Sequence, residues 1–326
     1  MYLINGLNIL LQAGFVLALS PILEDLLQKM KASFQGTPSP PLFKSYRELF
    51  HLLSQSVEPL HTNSQIRQFT PLVLFSTALY SSLMVPTFLS KAPISHLGGL
   101  LFLVALLILN RFFLVSSLAQ QTQIQSFLLK PSPEVFLLRI TEFIFLATLL
   151  NLALFSGTMD LNGIVSWHQA HSEFLIQPLN LLAILALLIT TIAEMDRIPI
   201  GLSESTSQRQ APHEYLQEMY TGPQLGIIYW SHWIKNLMLL SLLVSFVLPW
   251  GISNQHDSLS LFLSFLIYFG KLLMMCLLIE SLEILIRKFK LFRFTKILSS
   301  ALLMTLCCIV TYLQSHPPLP MKVFLP

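Results

Sequence analysis

Charge is scarce in this sequence: Asp, Glu, Lys and Arg together make up 11% of its 326 residues. A water-soluble domain carries about 25%, so too little charge is present to cover a soluble body of this size. Cysteine is scarce as well. Cys276, Cys307 and Cys308 all sit in apolar runs without the spacing of metal ligands, and are read as small residues packed among helices. No Walker A loop, GxGxxG, CxxC, HExxH or GxSxG motif occurs, which leaves no obvious redox cofactor or hydrolytic centre in the chain itself. A net charge of +3, dispersed along the chain, speaks against a nucleic-acid partner. What is present in abundance is apolar surface. Hydrophobic residues make up 54% and the mean hydropathy is +0.67, which makes the lipid bilayer the solvent for most of the molecule.

A helix needs about 20 mostly apolar residues to cross the hydrocarbon core. Eight stretches meet that length: 7–27, 71–89, 97–118, 135–155, 175–193, 227–250, 259–286 and 297–313. The first lacks the basic flank and small-residue cleavage site of a signal peptide and is read as a retained helix. The fold class expected is therefore an all-α integral membrane protein of about eight transmembrane helices, one polytopic domain over 1–326. Basic residues alternate between its connections. Lys29, Lys31, Lys44, Arg47, Arg67, Lys130, Arg197, Arg209, Arg287, Lys288, Lys290, Arg293 and Lys296 fall on one side, Lys91 and Lys322 on the other. That asymmetry of thirteen to two puts the odd-numbered loops in the cytoplasm and both termini outside. Cytoplasmic loops 1 (28–70) and 5 (196–226) are too long for simple connectors. In loop 1, Gly36-Thr-Pro-Ser-Pro-Pro41 breaks the chain. A short amphipathic helix follows, with Tyr46, Leu49, Phe50 and Leu53 on one face, suited to the membrane surface or a partner subunit.

Several charges lie within or at the edges of the spans: Arg111, Arg139, Glu142, Glu194, Asp196, Lys235, Lys271, Glu280 and Glu283. A charge near the centre of a transmembrane helix costs roughly 2.5–3.5 kcal/mol on insertion scales, so such groups pair or line a polar cavity. Arg139 and Asp196 are near enough to span ends to snorkel. Glu283 and Arg287 are four apart, as a local helix ion pair would be, whereas the sequence offers Arg111 no acid on its own helix face. For Lys235, Lys271, Glu142, Glu194 and Glu280 pairing has to run mostly between helices. Structural pairing and a proton or ion route both fit such a set. His168 and His171, three apart on the outer side, read either as a metal pair or as part of a solvated loop.

The segment Ala193-Glu-Met-Asp-Arg-Ile-Pro-Ile-Gly-Leu-Ser-Glu204 resembles a signature, E-x-x-[RK]-x-P-F-D-L-x-E-[AG]-E, of one membrane family. In that family a helix ends at the first Glu and runs into a cytoplasmic loop. The family is the respiratory-chain component that joins membrane and peripheral arms. It comprises NADH dehydrogenase subunit 1, its bacterial counterpart in NADH-quinone oxidoreductase, and the matching membrane component of formate hydrogenlyase and other group 4 [NiFe] hydrogenases. The likeness continues through Gln35-Gly36, Tyr46-Arg47-Glu48-Leu49 and Leu52-Leu53-Ser-Gln-Ser-Val57, which resemble the first loop of the hydrogenase branch. Arg111-Phe112-Phe113 resembles the start of the third-helix motif, and Ser132-Pro-Glu134 with Glu142 resembles S-R-E followed by V-E-P. Tyr220-Thr-Gly222 through Gly226, then Lys235 and Val247-Leu-Pro-Trp-Gly251, follow the loop and sixth helix, and Lys271 and Glu283 keep the spacing of the seventh.

The resemblance implies a component of the bacterial cytoplasmic (inner) membrane that anchors an electron-transfer arm and passes redox energy to proton or sodium movement. Its implied partners are antiporter-like membrane subunits and peripheral Fe–S, hydrogenase-like subunits. Those subunits would carry Fe–S clusters and, in a hydrogenase-type arm, a Ni–Fe centre; this chain would bind no cofactor. Glu142, Glu194, Glu204, Lys235, Lys271 and Glu283 take the family's polar route into the membrane. Arg47, Glu134, Arg197 and Tyr220 take its junction with the peripheral arm. The sequence departs from the pattern at Ile200-Gly201-Leu202-Ser203-Glu204-Ser205-Thr206, where two of three acids are gone, and at Pro133, which replaces the Arg of S-R-E. The lost acids count against quinone chemistry there. They also keep open a divergent member of a non-redox ion- or bicarbonate-translocating complex. An unrelated secondary transporter fits less well, since neither inverted repeats nor midplane Gly/Pro breaks are visible.

Overall fold

The computed structural model describes residues 2–56, 65–87, 99–118, 133–171, 177–195, 216, 219–251, 258–288 and 294–315. Within them the chain forms ten α-helices and no strand: α1 (Tyr2–Gln35), α2 (Lys44–Ser54), α3 (Gln65–Met84), α4 (Leu100–Leu118), α5 (Pro133–Ser156), α6 (Leu161–Ala170), α7 (Pro178–Glu194), α8 (Gly222–Val247), α9 (Ser258–Lys288) and α10 (Phe294–Ser315). Each of the eight expected spans overlaps one of these helices. Stretches of α1, α4, α8 and α9 are long and apolar enough to cross a membrane, and a fifth arises if α5 and α6, bent by 53°, count as one broken span. The apolar parts of α7 and α10 are shorter, and α3 is not in either group.

Helix α8 is the axis of the bundle. Nearly every residue from Ser231 to Phe246 is buried, as expected of a helix that is apolar all round. It packs against α1, α2, α3, α6, α7 and α9, while α4 joins α3 to α5, and α10 lies against α5 and α7. Prolines decide how several of these contacts are made. A proline inside a helix leaves the carbonyl four residues earlier without its amide donor. In α1, Pro21 releases the Leu17 carbonyl, which accepts a hydrogen bond from the Trp230 indole N–H of α8 at 3.3 Å. In α3, Pro71 releases the Arg67 carbonyl, which accepts from the Tyr220 hydroxyl at 3.2 Å. At the far end of α3, where the last turn leaves carbonyls without helical donors, the buried Gln12 amide of α1 donates to the Ser82 carbonyl at 3.2 Å and the Val85 carbonyl at 3.1 Å.

Helix α2 is wedged between α1 and α8. Asp25 of α1 starts it, accepting both the Ser45 backbone N–H (2.9 Å) and the Ser45 hydroxyl (2.8 Å). Tyr46 donates to the Ala18 carbonyl of α1, and burial with the Asp25 carboxylate nearby pushes its phenol above the usual range. Leu49, Leu52 and Leu53 lie over Gly226, where an added Cβ would meet Leu52 Cβ at 3.2 Å. The expected single apolar face is therefore divided. Its leucines and Tyr46 pack on this chain's own helices, and Phe50, at 66% exposure, is left on the margin. Gly222 opens α8 with φ +56° beside the Ser56 carbonyl, a left-handed conformation that favours glycine.

Candidate functional site

Four charged side chains from four helices converge inside the bundle. Arg111 of α4 reaches Glu142 of α5 with its Nε and Glu194, the last residue of α7, with its Nη2 at 3.1 Å. Lys235, from the middle of α8, brings its Nζ to 3.9 Å from the same Glu194 oxygen. The side chains are 11% (Arg111), 4% (Glu142), 1% (Glu194) and 8% (Lys235) exposed. With every group ionised the cluster holds two positive and two negative charges and balances. That balance is what allows it to exist out of water, because a buried charge left without its partner is heavily penalised.

The local sequence orients each member. Asn110, beside Arg111, donates to the Leu74 carbonyl (3.1 Å) and the Thr77 hydroxyl (2.9 Å) of α3, which locks α4 on that side and turns the neighbouring guanidinium toward α5 and α7. Helices α5 and α7 pack against each other with Thr148 and Thr190 hydroxyls 3.4 Å apart, and the same antiparallel register sets Glu142 level with Glu194. Thr190 and Thr191 return their hydroxyls to carbonyls of their own helix, so they add polarity to the seam without competing for the acids. A planar guanidinium suits the central place, since its fork of donors engages two carboxylates at once.

The structure thus brings together Glu142, Glu194 and Lys235 of the expected polar route, and adds Arg111. The sequence alone does not show which acids Arg111 meets, because they lie on other helices; its resemblance to the third-helix motif is the one signal that points to it. Two other members stand apart. Glu283 of α9 pairs with Lys31 of α1 at 2.9 Å; the Arg287 side chain, its expected partner on the same helix, lies outside the described residues. Lys271 of α9 donates to the carbonyls of Leu248 and Trp250 just past the end of α8 and sits 4.4 Å from the Trp250 ring centroid. There it neutralises the negative end of the α8 dipole. Glu204 and Arg197 lie outside the described residues, as does the side chain of Glu134 in the first turn of α5.

Of the junction residues, Tyr220 is fully buried. Its hydroxyl is 2.6 Å from Ser117 Oγ of α4 and donates to Arg67 O, while Arg67 caps the Met219 carbonyl at 3.2 Å and lies over the Tyr220 ring. Tyr220 therefore ties the ends of α3, α4 and α8 together. Arg47 is exposed on α2. His168 sits on helix α6, whereas His171 follows it and is exposed. His168 is buried, His171 stacks on Trp167 at 4.8 Å, and no group of metal-ligating side chains occurs among the described residues.

Comparison with known proteins agrees with this architecture. Among curated proteins, the chain is 27% identical over 277 residues to formate hydrogenlyase subunit 4 of Escherichia coli (strain K12), covering 84% of this chain and 88% of the relative. It is 27% identical over 281 residues to hydrogenase-4 component C of the same organism, covering 84% and 85%. Among solved structures, a chain of the membrane-bound sulfane sulfur reductase, an archaeal respiratory membrane complex, superposes with a TM-score of 0.70 at 14% identity, over 93% of this chain and 99% of that one. The NADH dehydrogenase family model matches residues 7–313. With nearly its whole length matched, the chain belongs to the NADH dehydrogenase family.

Proposed function

We propose that this chain is a membrane-arm component of a complex I-like, group 4 hydrogenase-type oxidoreductase. In that role it anchors a peripheral electron-transfer arm and passes redox energy to proton or sodium movement in antiporter-like neighbours. The observation that carries the reading is the balanced cluster of Arg111, Glu142, Glu194 and Lys235, withdrawn from water at the end of α7. One proton gained or lost there upsets the balance, and a guanidinium shared by two acids responds by leaning toward one of them. Such a group of acids and bases inside a membrane body suits proton relay. Family membership and the named relatives, both components of hydrogenase systems, support the same role.

In this reading the chain sits in the bacterial cytoplasmic membrane with eight spans and both termini outside, an orientation supported by the distribution of Lys and Arg between its loops. Glu194 then stands at the cytoplasmic end of α7, immediately before loop 5. Arg47, Glu134, Arg197 and Tyr220 belong to the junction with the peripheral arm, where the buried Tyr220 acts from within, holding the loop's return into α8. The redox centres, Fe–S clusters and a Ni–Fe site, belong to the peripheral subunits, and this chain supplies charge and position only.

Purification of the native assembly in mild detergent, followed by iron and nickel analysis, tests the proposal. Both metals present with this chain support it. A stable assembly lacking both overturns it in favour of a second reading, an ion- or bicarbonate-translocating complex with antiporter-like partners. That second reading draws on the loss of two acids from the loop after Glu194.

A further inference from the structure

Helix α2 carries an exposed aromatic edge. Phe43, at 56% exposure, and Phe50, at 66%, flank Tyr46, whose ring centroid lies 6.1 Å from the first and 6.5 Å from the second. The three rings make one row along the helix. Phe43 enters it at φ +66°, the one left-handed residue other than glycine among the described residues. A bulky side chain in that conformation is strained, and here the strained turn sets an exposed ring at the head of the row.

The depth of the row follows from what holds α2 to α1. Tyr46 donates to the Ala18 carbonyl, and Asp25 accepts from the Ser45 backbone and hydroxyl. Both anchors precede Lys29, the first basic residue of the chain. At about 1.5 Å per residue, Asp25 lies roughly 6 Å and Ala18 roughly 16 Å back along α1 from Lys29. A lysine at the end of a span keeps its ammonium among the headgroups. Helix α2 therefore starts below that layer and is not raised above it in water. An interfacial helix buries its apolar side about 5–10 Å into the boundary between headgroups and acyl chains, a depth that matches the Asp25 anchor.

Helical spacing orients the row. Ser45 and Leu49 mark the buried side, which packs on α1 and α8. At 3.6 residues per turn the row lies roughly 110° round from that side, and Glu48 lies opposite the row. Tyr46 reaches the deeper of the two anchors, so the row faces the membrane interior and the exposed Glu48 faces water. Arg47, between the two, stays available to the junction with the arm.

We propose that this edge of α2 binds an anionic phospholipid of the leaflet it lies in. Phe43 and Phe50 take the upper acyl chain. Lys29 and Lys44, both exposed and rooted on either side of the Asp25–Ser45 contact, take the phosphate above it. Two cations over aromatic rings at this depth complement an anionic headgroup over its hydrocarbon. A water-soluble subunit approaching from the cytoplasm meets Glu48 and not the row. The depth comes from the anchors on α1; that the leaflet is the cytoplasmic one rests on the orientation proposed above.

Photo-cross-linking in the assembled complex tests the surface. With Phe50→p-benzoylphenylalanine, in nanodiscs of phosphatidylethanolamine with a minority of phosphatidylglycerol, irradiation should add a phospholipid mass to this chain. Glu48→p-benzoylphenylalanine should give severalfold less. Phosphatidylglycerol should be enriched severalfold in the adducts over its share of the nanodisc, and Lys29→Gln/Lys44→Gln should bring it down to that share. No lipid adduct at position 50, a cross-link there to another subunit, or equal lipid yields at the two positions overturns the proposal. Adducts that simply match the nanodisc composition, or an enrichment unchanged by the double substitution, overturn the role of the two lysines. Iron and nickel in the same sample report on the proposed function separately.

Discussion

Removing the guanidinium from the middle of the buried cluster is the sharpest structural perturbation available. Arg111→Met keeps most of the side-chain volume but leaves Glu142 and Glu194, among the described residues, with only Lys235, at 3.9 Å from Glu194, to compensate them. The cluster moves from balance to one excess negative charge. Breaking a buried ion pair by deleting one partner costs about 3–5 kcal/mol. At roughly 2–4 °C per kcal/mol for chains of 150–250 residues, the apparent midpoint of the detergent-purified complex should fall on the order of 10 °C. A second substitution, Glu142→Gln, removes the excess charge, and Arg111→Met/Glu142→Gln should regain more than half of the loss. Arg111→Lys should fall between wild type and Arg111→Met, because a single ammonium cannot grip two carboxylates as the planar fork does. Differential scanning fluorimetry on the four proteins in one detergent gives the comparison. A double variant no more stable than Arg111→Met, or an Arg111→Met protein as stable as wild type, would refute the charge-balance reasoning.

Other predictions follow from the same contacts. In the Lys31–Glu283 bridge at 2.9 Å the lysine is about a third exposed but the acid is buried, so Lys31→Met should cost more than the ~1 kcal/mol of a surface pair and less than Arg111→Met, which takes its cation from two buried acids. Gly222→Ala places a side chain at φ +56° beside the Ser56 carbonyl and should cost about 1–3 kcal/mol, with faster proteolysis of the loop that precedes α8. Gly226→Ala pushes against Leu52 Cβ at 3.2 Å, and should loosen α2, read as faster hydrogen exchange over 44–54. Tyr220→Phe removes the hydroxyl shared by Ser117 and the carbonyl released by Pro71, and should destabilise by about 1–3 kcal/mol.

The helices are legible in the sequence because apolar length is a local property, and each expected span overlaps a helix. The short helix after the Gly36–Pro41 break is legible for the same reason, since its amphipathic period is contained in the few residues from Tyr46 to Leu53. What covers its face is not: the leucines meet Gly226, which is remote in the chain. The site divides along the same line. Glu142, Glu194 and Lys235 stand out as charges in apolar surroundings, but their convergence on Arg111 depends on the register of α4, α5, α7 and α8. Lys271 looks equally buried in sequence, yet its long stem carries the ammonium to the carbonyls past the end of α8, away from the cluster. Helix α6 is hidden in sequence because ten residues with Gly163, Ser166 and a histidine carry little apolar signal. Contacts to α5 and α8 hold it instead.

The central claim is that the Arg111 cluster links electron transfer to ion movement. The most direct measurement is the number of protons moved per electron transferred by the assembled complex in proteoliposomes, for wild type and Glu142→Gln. The account predicts that the variant assembles and turns over electrons while protons moved per electron fall severalfold. An unchanged ratio in an intact Glu142→Gln complex would contradict it, and would leave this chain the task of anchoring alone.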